Sequence, residues 1–372
     1  MRVAFALPGL HRVHRGAETA FESLARAMAR DARDTITLIG TGAVRAGEPY
    51  RFVATHAVPR ERFELWPRVP PLRTEFAYEE LTWVPSLLRH YRPGDYDVTI
   101  TCSYPFTNWL LRCRRRQGRR PVHVFVTENG DWPTHRIAAE YRLFGCDGLV
   151  CTNPTYFAAQ QRGDRPWRTV LIPNGVDAGQ FKPGRGERSR YGLPDEVPIV
   201  LMVSALNPNK RVLDGIRAVA AVDDAWLVVA GDGSMRGDVD RLAAAMMPGR
   251  FRRLTVSGEQ MPGLYRCANV FLHLARDESF GNVYVEAVAS GLPVVAHDSP
   301  AARWIIGDNG WFVDSDVPGS ATAALSDVLR GKWSPPHDGV AQTVRRFDWA
   351  VIAAEYRRFL EEIVASKNGG TA

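Results

Sequence analysis

Asp277-Glu278-Ser279-Phe280-Gly281-Asn282-Val283-Tyr284-Val285-Glu286-Ala287-Val288-Ala289-Ser290-Gly291-Leu292-Pro293-Val294-Val295 reads as a polar turn, an apolar helix, a glycine cap and a buried strand. The helix is expected to begin after Ser279 and to end at Gly291, where a left-handed residue closes the last turn. Its first amides have no partner within the helix and sit at the positive end of its dipole, so they suit an anion such as a diphosphate. Glu286 falls about two turns further on, among apolar neighbours.

Outward from this stretch, short apolar runs alternate with helical ones. Strands are expected at Arg2–Leu7, Thr35–Ile39, Val98–Cys102, Val122–Thr127 and Leu149–Thr152, with a helix from about Glu18 to Ala29. A second series runs through Ile199–Ser204, a helix near Leu213–Ala221, Trp226–Ala230, Leu254–Ser257, Val270–His273 and Pro293–Ala296. This alternation predicts α/β domains with mainly parallel sheets. A chain of 372 residues exceeds the usual limit of one core, about 250–300 residues. Dense turn residues at Ile172-Pro173-Asn174-Gly175-Val176-Asp177 place a linker, giving domains of 1–175 and 176–348. A last helix from about Trp349 to Ala365, within 349–372, is expected to pack back on the first domain. Two such domains would enclose a cleft that closes on its substrate.

Composition narrows the class. At 45% hydrophobic and 24% charged the chain resembles an ordinary globular protein, not a disordered one. It has no run of about 18 apolar residues and no signal-peptide pattern, so a cytoplasmic protein is expected. The five cysteines form no C-x-x-C and are expected as buried, reduced thiols. The net charge of +6 and the cluster Arg112, Arg114, Arg115, Arg116, Arg119 and Arg120 come without a nucleic-acid motif. A solvated surface, an anionic acceptor or peripheral contact with the inner membrane face all remain open. Only four of the 47 basic residues are lysines, Lys182, Lys210, Lys332 and Lys367, which draws attention to each.

Glu278 and Glu286 stand in E-x7-E spacing, and S-F-G with E-A-V-A-S-G-L-P-V-V around them resembles retaining glycosyltransferases of the GT-B fold, the family 4 and group 1 kind. Ile172–Asp177 with Phe181 and Pro183 resembles the family's I-P-N-G-V-D-x3-F-x-P linker, Gly231-Asp232-Gly233 its G-x-G turn, and Val203–Arg211 its phosphate-lysine loop. The resemblance implies two Rossmann-like domains, an acceptor-side one and a donor-binding one. It implies hexosyl transfer, with retention, from a UDP- or GDP-type nucleotide sugar to a hydroxyl acceptor, without metal or cofactor. Donor binding would fall to Gly16, Ser204, Lys210, Arg211, Glu278, Ser279, Phe280, Gly281, Asn282, Val283 and Glu286, with Lys210, Glu278 and Asn129 the catalytic candidates. In this scheme Glu286 accepts hydrogen bonds from ribose hydroxyls and Lys210 is a point charge for the leaving diphosphate.

The chain departs from the family pattern in places. Ala205 stands where many members carry an arginine, which leaves Arg211 as a substitute cation. Arg15-Gly16 replaces a glycine pair, and Asn129 stands where the family has a histidine; an amide binds a hydroxyl but cannot change charge near neutrality. These losses keep a second reading open, a non-catalytic relative that binds nucleotide sugar or a protein partner. A dehydrogenase is disfavoured, because the loop from Leu7 to Glu18 lacks G-x-G-x-x-G. Asp95-Tyr96-Asp97 mimics a metal-binding D-x-D but precedes a strand, so no metal is expected there, and His11, His14, His123 and His135 show no ligand spacing. The segment Phe63–Arg73, with Trp83 and Trp132, offers aromatic and cationic side chains to a saccharide, lipid-linked or small-molecule acceptor, though core packing is equally open for any one of them.

Overall fold

The computed structural model describes residues 1–113, 120–130, 143–162 and 167–369. Arg114, Arg115, Arg116, Arg119, Trp132 and His135 lie outside them. The chain divides into two compact units, Met1–Gly175 with Trp349–Ala372, and Val176–Asp348.

The first unit is built on seven parallel strands: β1 (Arg2–Ala6), β2 (Thr35–Gly40), β3 (Arg51–Ala54), β4 (Val98–Thr101), β5 (Val122–Val126), β6 (Gly148–Cys151) and β7 (Arg168–Leu171). Between them lie α1 (Gly16–Ala29), α2 (Glu75–His90), α3 (Phe106–Cys113) and α4 (Pro154–Gln161). The strand order is β3-β2-β1-β4-β5-β6-β7. Register is set by apolar side chains that must all point into covered faces: Phe5 pairs with Leu38 on one side and Ile100 on the other, and Ile100 with Val124. All five residues of β5 are buried, the pattern of a strand covered on both faces.

The second unit follows the same plan. Its strands β8 (Ile199–Val203), β9 (Trp226–Ala230), β10 (Phe251–Leu254), β11 (Val270–His273), β12 (Val294–His297) and β13 (Gly310–Val313) are ordered β10-β9-β8-β11-β12-β13. The helices are α5 (Val212–Ala220), α6 (Arg236–Met246), α7 (Met261–Tyr265), α8 (Asn282–Ala289), α9 (Pro300–Ile306), α10 (Ser320–Leu329) and α11 (Gly339–Phe347). The chain then returns to the first unit as α12 (Trp349–Gly369), which packs on α1 and buries Ile352, Tyr356, Phe359, Leu360 and Ile363 in that unit's core.

Three expectations change. β10 lies at Phe251–Leu254, not Leu254–Ser257: it is an edge strand with two arginines, Arg252 and Arg253, and among the described residues it pairs only with β9. The apolar helix starts at Asn282, because Gly281 takes a left-handed conformation (φ 79°) that ends the turn before it. Cys113 is exposed at the end of α3, whereas Cys102, Cys151 and Cys267 are buried. Among the described residues no helix is long and apolar enough to cross a membrane.

Candidate active site

In an open parallel sheet the order reverses at one point, and the loops leaving the carboxyl ends of the flanking strands form a natural crevice. In the second unit that point lies between β8 and β11. The loop after β8 carries Lys210 and the loop after β11 carries Glu278. Lys210 Nζ donates to Glu278 Oε1 at 2.5 Å.

The two glycines of Gly231-Asp232-Gly233 explain why the first loop holds its shape. A Cβ on Gly231 would sit 1.9 Å from the Ser204 carbonyl oxygen, and one on Gly233 2.5 Å from that of Leu206. The turn is therefore the floor on which Ser204–Leu206 rests, and Leu206 N donates to the Asp232 carbonyl at 2.9 Å. A single helical turn, Pro208–Lys210, then ends at Arg211, which is left-handed at φ 52°. Ser204 Oγ is buried and has no hydrogen-bond partner among the described residues.

Arg211 does not stand free as a second phosphate cation. Its guanidinium bonds Asp214 Oδ2 at 2.8 Å, Ser315 Oγ at 2.5 Å and Asp316 Oδ1 at 3.0 Å, which ties the start of α5 to the loop after β13. The other lysines are differently placed: Lys332 pairs with Asp327, Lys367 with Asp147, and Lys182 is exposed.

On the β11 side, Phe280 is 2% exposed and packs edge-on against Phe347 at 5.7 Å. Its side chain anchors the loop in that unit's core, and Glu278 and Ser279 beside it are partly exposed. Gly281 supplies no capping side chain to α8. The start of α8, with Asn282 and Val283, carries the positive end of that helix's dipole.

Glu278 has a partner that the sequence reading missed. His273, the last residue of β11 and 1% exposed, meets the same oxygen, its Nε2 2.6 Å from Glu278 Oε1. Burial alone would push the Glu278 carboxyl up, but the bonds and charges of His273 and Lys210 outweigh it and hold it down at about 2. Glu286 is the opposite case. Burial pushes its carboxyl up to about 7, only partly offset by the bond from Tyr265 Oη to Oε2 at 2.8 Å. Tyr265 was also missed, because nothing in Met261–Tyr265 marks one tyrosine as the mate of a carboxylate twenty-odd residues away.

Gly16 and Asn129 belong to the first unit. Gly16 is the first residue of α1. Asn129 follows β5 and donates to the Cys102 carbonyl at 3.3 Å and to Cys102 Sγ at 3.5 Å. Its neighbour Glu128, not singled out by sequence, accepts from Asn174 Nδ2 at 3.0 Å, and burial pushes its carboxyl up to about 8. Trp83 is a core residue, fully buried with its indole N–H on Thr55 Oγ1 at 2.7 Å. Trp66 is half exposed beside Phe63 and Tyr78. Asp97 of the D-x-D pattern is bound by Arg2 at 2.6 Å, and among the described residues no cluster of three His, Cys, Asp or Glu is placed to hold a metal ion.

Residues 14–180 match the model for Glycosyltransferase Family 4, and residues 185–341 the model for Glycosyl transferases group 1. Between them the two glycosyltransferase models cover most of the chain, and its two parallel-sheet units have the GT-B fold. Among solved structures, it superposes on sucrose-phosphate synthase from Thermosynechococcus elongatus with a TM-score of 0.78 at 19% identity, over 98% of this chain and 99% of that one. It superposes on Anabaena HepE in complex with UDP and glucose with a TM-score of 0.73 at 18% identity, over 97% and 100% of the two chains. In sequence it is 32% identical over 218 residues to the phosphatidyl-myo-inositol mannosyltransferase of Mycobacterium tuberculosis, covering 53% of this chain and 55% of that one. The GT-B chain thus spans about half the length of the curated relatives it first matches.

Proposed function

We propose that this GT-B protein transfers a hexosyl group, with retention of configuration, from a nucleotide diphosphate sugar to a hydroxyl acceptor. The observation that carries the reading is the meeting of Lys210 and Glu278 at 2.5 Å across the switch point of the second sheet, beside the start of α8. Lys210 and the first amides of α8 supply positive charge to a leaving diphosphate, and charge-assisted bonds of this kind are worth roughly 1.5–3 kcal/mol each. Glu286, with one protein donor on Oε2, accepts the paired hydroxyls of the ribose. Glu278 orients the transferred sugar.

Retention needs no enzyme nucleophile in this scheme. The departing diphosphate takes the proton of the acceptor hydroxyl on the same face, so catalysis rests on positioning and electrostatics. Neither a metal nor a cofactor is part of the proposal. The donor is a UDP- or GDP-sugar: HepE is described with UDP and glucose, and the mycobacterial relative is a mannosyltransferase. The acceptor is a saccharide, a lipid-linked saccharide or a small hydroxylated molecule, met by the first unit from the cytoplasmic side, with peripheral contact at the inner membrane face for a lipid-linked one.

Calorimetric titration with UDP, GDP and ADP tests the site. One of them is expected to bind, and Glu286→Ala to weaken it about tenfold or more. Unchanged affinity in Glu286→Ala would remove Glu286 from the donor site. Release of free sugar or product from UDP-glucose or GDP-mannose then separates an enzyme from a protein that only binds nucleotide.

A further inference from the structure

We propose that His273 is a positioning residue for transfer, whose Nε2–H keeps the Glu278 carboxylate fixed when Lys210 turns from Glu278 to the donor diphosphate. The inference rests on the reading of Lys210 and Glu278 given above.

Lys210 and His273 share one oxygen, Glu278 Oε1, at 2.5 and 2.6 Å. An ionised carboxylate only accepts, so the histidine nitrogen that meets it carries the proton. The two donors differ in freedom. Lys210 is a long chain at the end of one helical turn, its side chain 23% exposed. The His273 ring is 1% exposed, parallel to Phe271 at 6.1 Å and edge-on to Tyr284 at 5.1 Å. Only the lysine has room to move to a ligand. An ammonium committed to Glu278 gives little to a diphosphate, and once it leaves, a carboxylate with no remaining donor would be held by nothing.

A packing role alone does not explain this imidazole. The preceding residues of β11, Val270, Phe271 and Leu272, are fully buried and apolar, and an apolar side chain would continue the strand at no polar cost. Instead the chain buries a ring whose Nδ1 has no partner among the described residues. Such a group costs desolvation that only a bond elsewhere offsets, and the one bond the ring makes among the described residues is to Glu278.

The test combines a spectrum with kinetics on the full chain. In protein labelled with 15N-histidine, one imidazole N–H should be protected from exchange and shifted by its carboxylate acceptor, both alone and with UDP or GDP added. It should vanish in His273→Gln and lose its shift in Glu278→Gln. With UDP-glucose and GDP-mannose as donors, His273→Phe keeps the ring without the donor and is expected to lower kcat about 10- to 100-fold, with little change in donor KM and with the acid limb of kcat moved to higher pH. His273→Gln returns an N–H near the same point and should recover most of the rate and keep the limb low. The proposal is overturned if the wild-type signal is absent or insensitive to Glu278→Gln, or if His273→Phe matches the wild type in rate and pH profile. It is equally overturned if His273→Gln and His273→Phe fail alike with the same fall in Tm, the mark of packing only. Glu278→Gln transferring at the wild-type rate would instead sink the reading of the site itself.

Discussion

Glu286 gives the donor site a pH dependence whose sign follows from its surroundings. Burial holds its carboxyl at about 7, so near neutrality it is protonated about half the time, whereas paired ribose hydroxyls favour the ionised form. Binding should therefore release a proton, and nucleotide affinity should rise as pH goes from 6 to 8. Titration calorimetry at a series of pH values in Glu286→Gln should give a much flatter profile; an equally steep one would place the titrating group elsewhere. A second carboxyl reports on stability. Glu80 is fully buried, its Oε2 accepts from Thr107 N at 2.9 Å, and burial raises it to about 8. A carboxyl raised above its unfolded value lets the folded state hold the extra proton, so its contribution is complete below about pH 4.5 and is lost as pH rises to about 8. Glu80→Gln should raise Tm relative to wild type at pH 8.5 and change it little at pH 5, as read by thermal denaturation. Such residues also mark the reach of sequence reading. Glu278, Glu286 and Lys210 stand in recognisable strings, but His273 and Tyr265 gain their meaning from folding, which brings a strand end and a short helix to those carboxylates.

Elements carry the next level of constraint, and Gly281 is where α8 depends on one residue. Its φ of 79° belongs to the left-handed region, and a Cβ there would lie 2.7 Å from the Tyr284 ring. Gly281→Ala therefore incurs backbone strain and a steric clash together, about 1–3 kcal/mol in all. The helix start should shift, so Tm should fall and nucleotide binding weaken more than stability alone explains; calorimetry on the folded variant decides it, and intact binding would detach the α8 start from the site. Legibility at this scale follows hydrophobic contrast. β8 and β9 are uniform apolar runs, β11 is apolar up to His273, and all three are readable within a residue or two. β10 was displaced because Arg252 and Arg253 break its run, and Arg253 spends its charge on Asp240 of α6 at 2.8 Å. β3 and β13 are four residues each, and their strand character comes from pairing with β2 and β12 more than from their own composition.

At the scale of the whole chain, the last helix is separated from the rest of its unit by the entire second unit in sequence, yet its apolar face is part of the first unit's core. Ile352, Phe359, Leu360 and Ile363 are all buried with Val3, Phe21 and Val124. Glycines record the closeness of this packing: a Cβ on Gly148 of β6 would lie 2.3 Å from Ile363 Cδ1, and one on Gly175 2.5 Å from the Trp349 ring. The glycine of the I-P-N-G string is thus explained by a residue far along the chain, which no local reading of the string supplies. Arg357 adds an ion pair to Asp34 at 2.7 Å, with the Asp34 side chain 2% exposed. Deleting the Leu360 side chain to Ala in this setting costs roughly 2–5 kcal/mol. Because the two units have separate cores, the loss should stay in the first. Hydrogen exchange followed by mass spectrometry on Leu360→Ala should show faster exchange in peptides from β1, α1 and β5 and unchanged protection across β8 to β13. An equal loss in both sets would mean that the units unfold as one, and no loss in the first would deny α12 its place in that core.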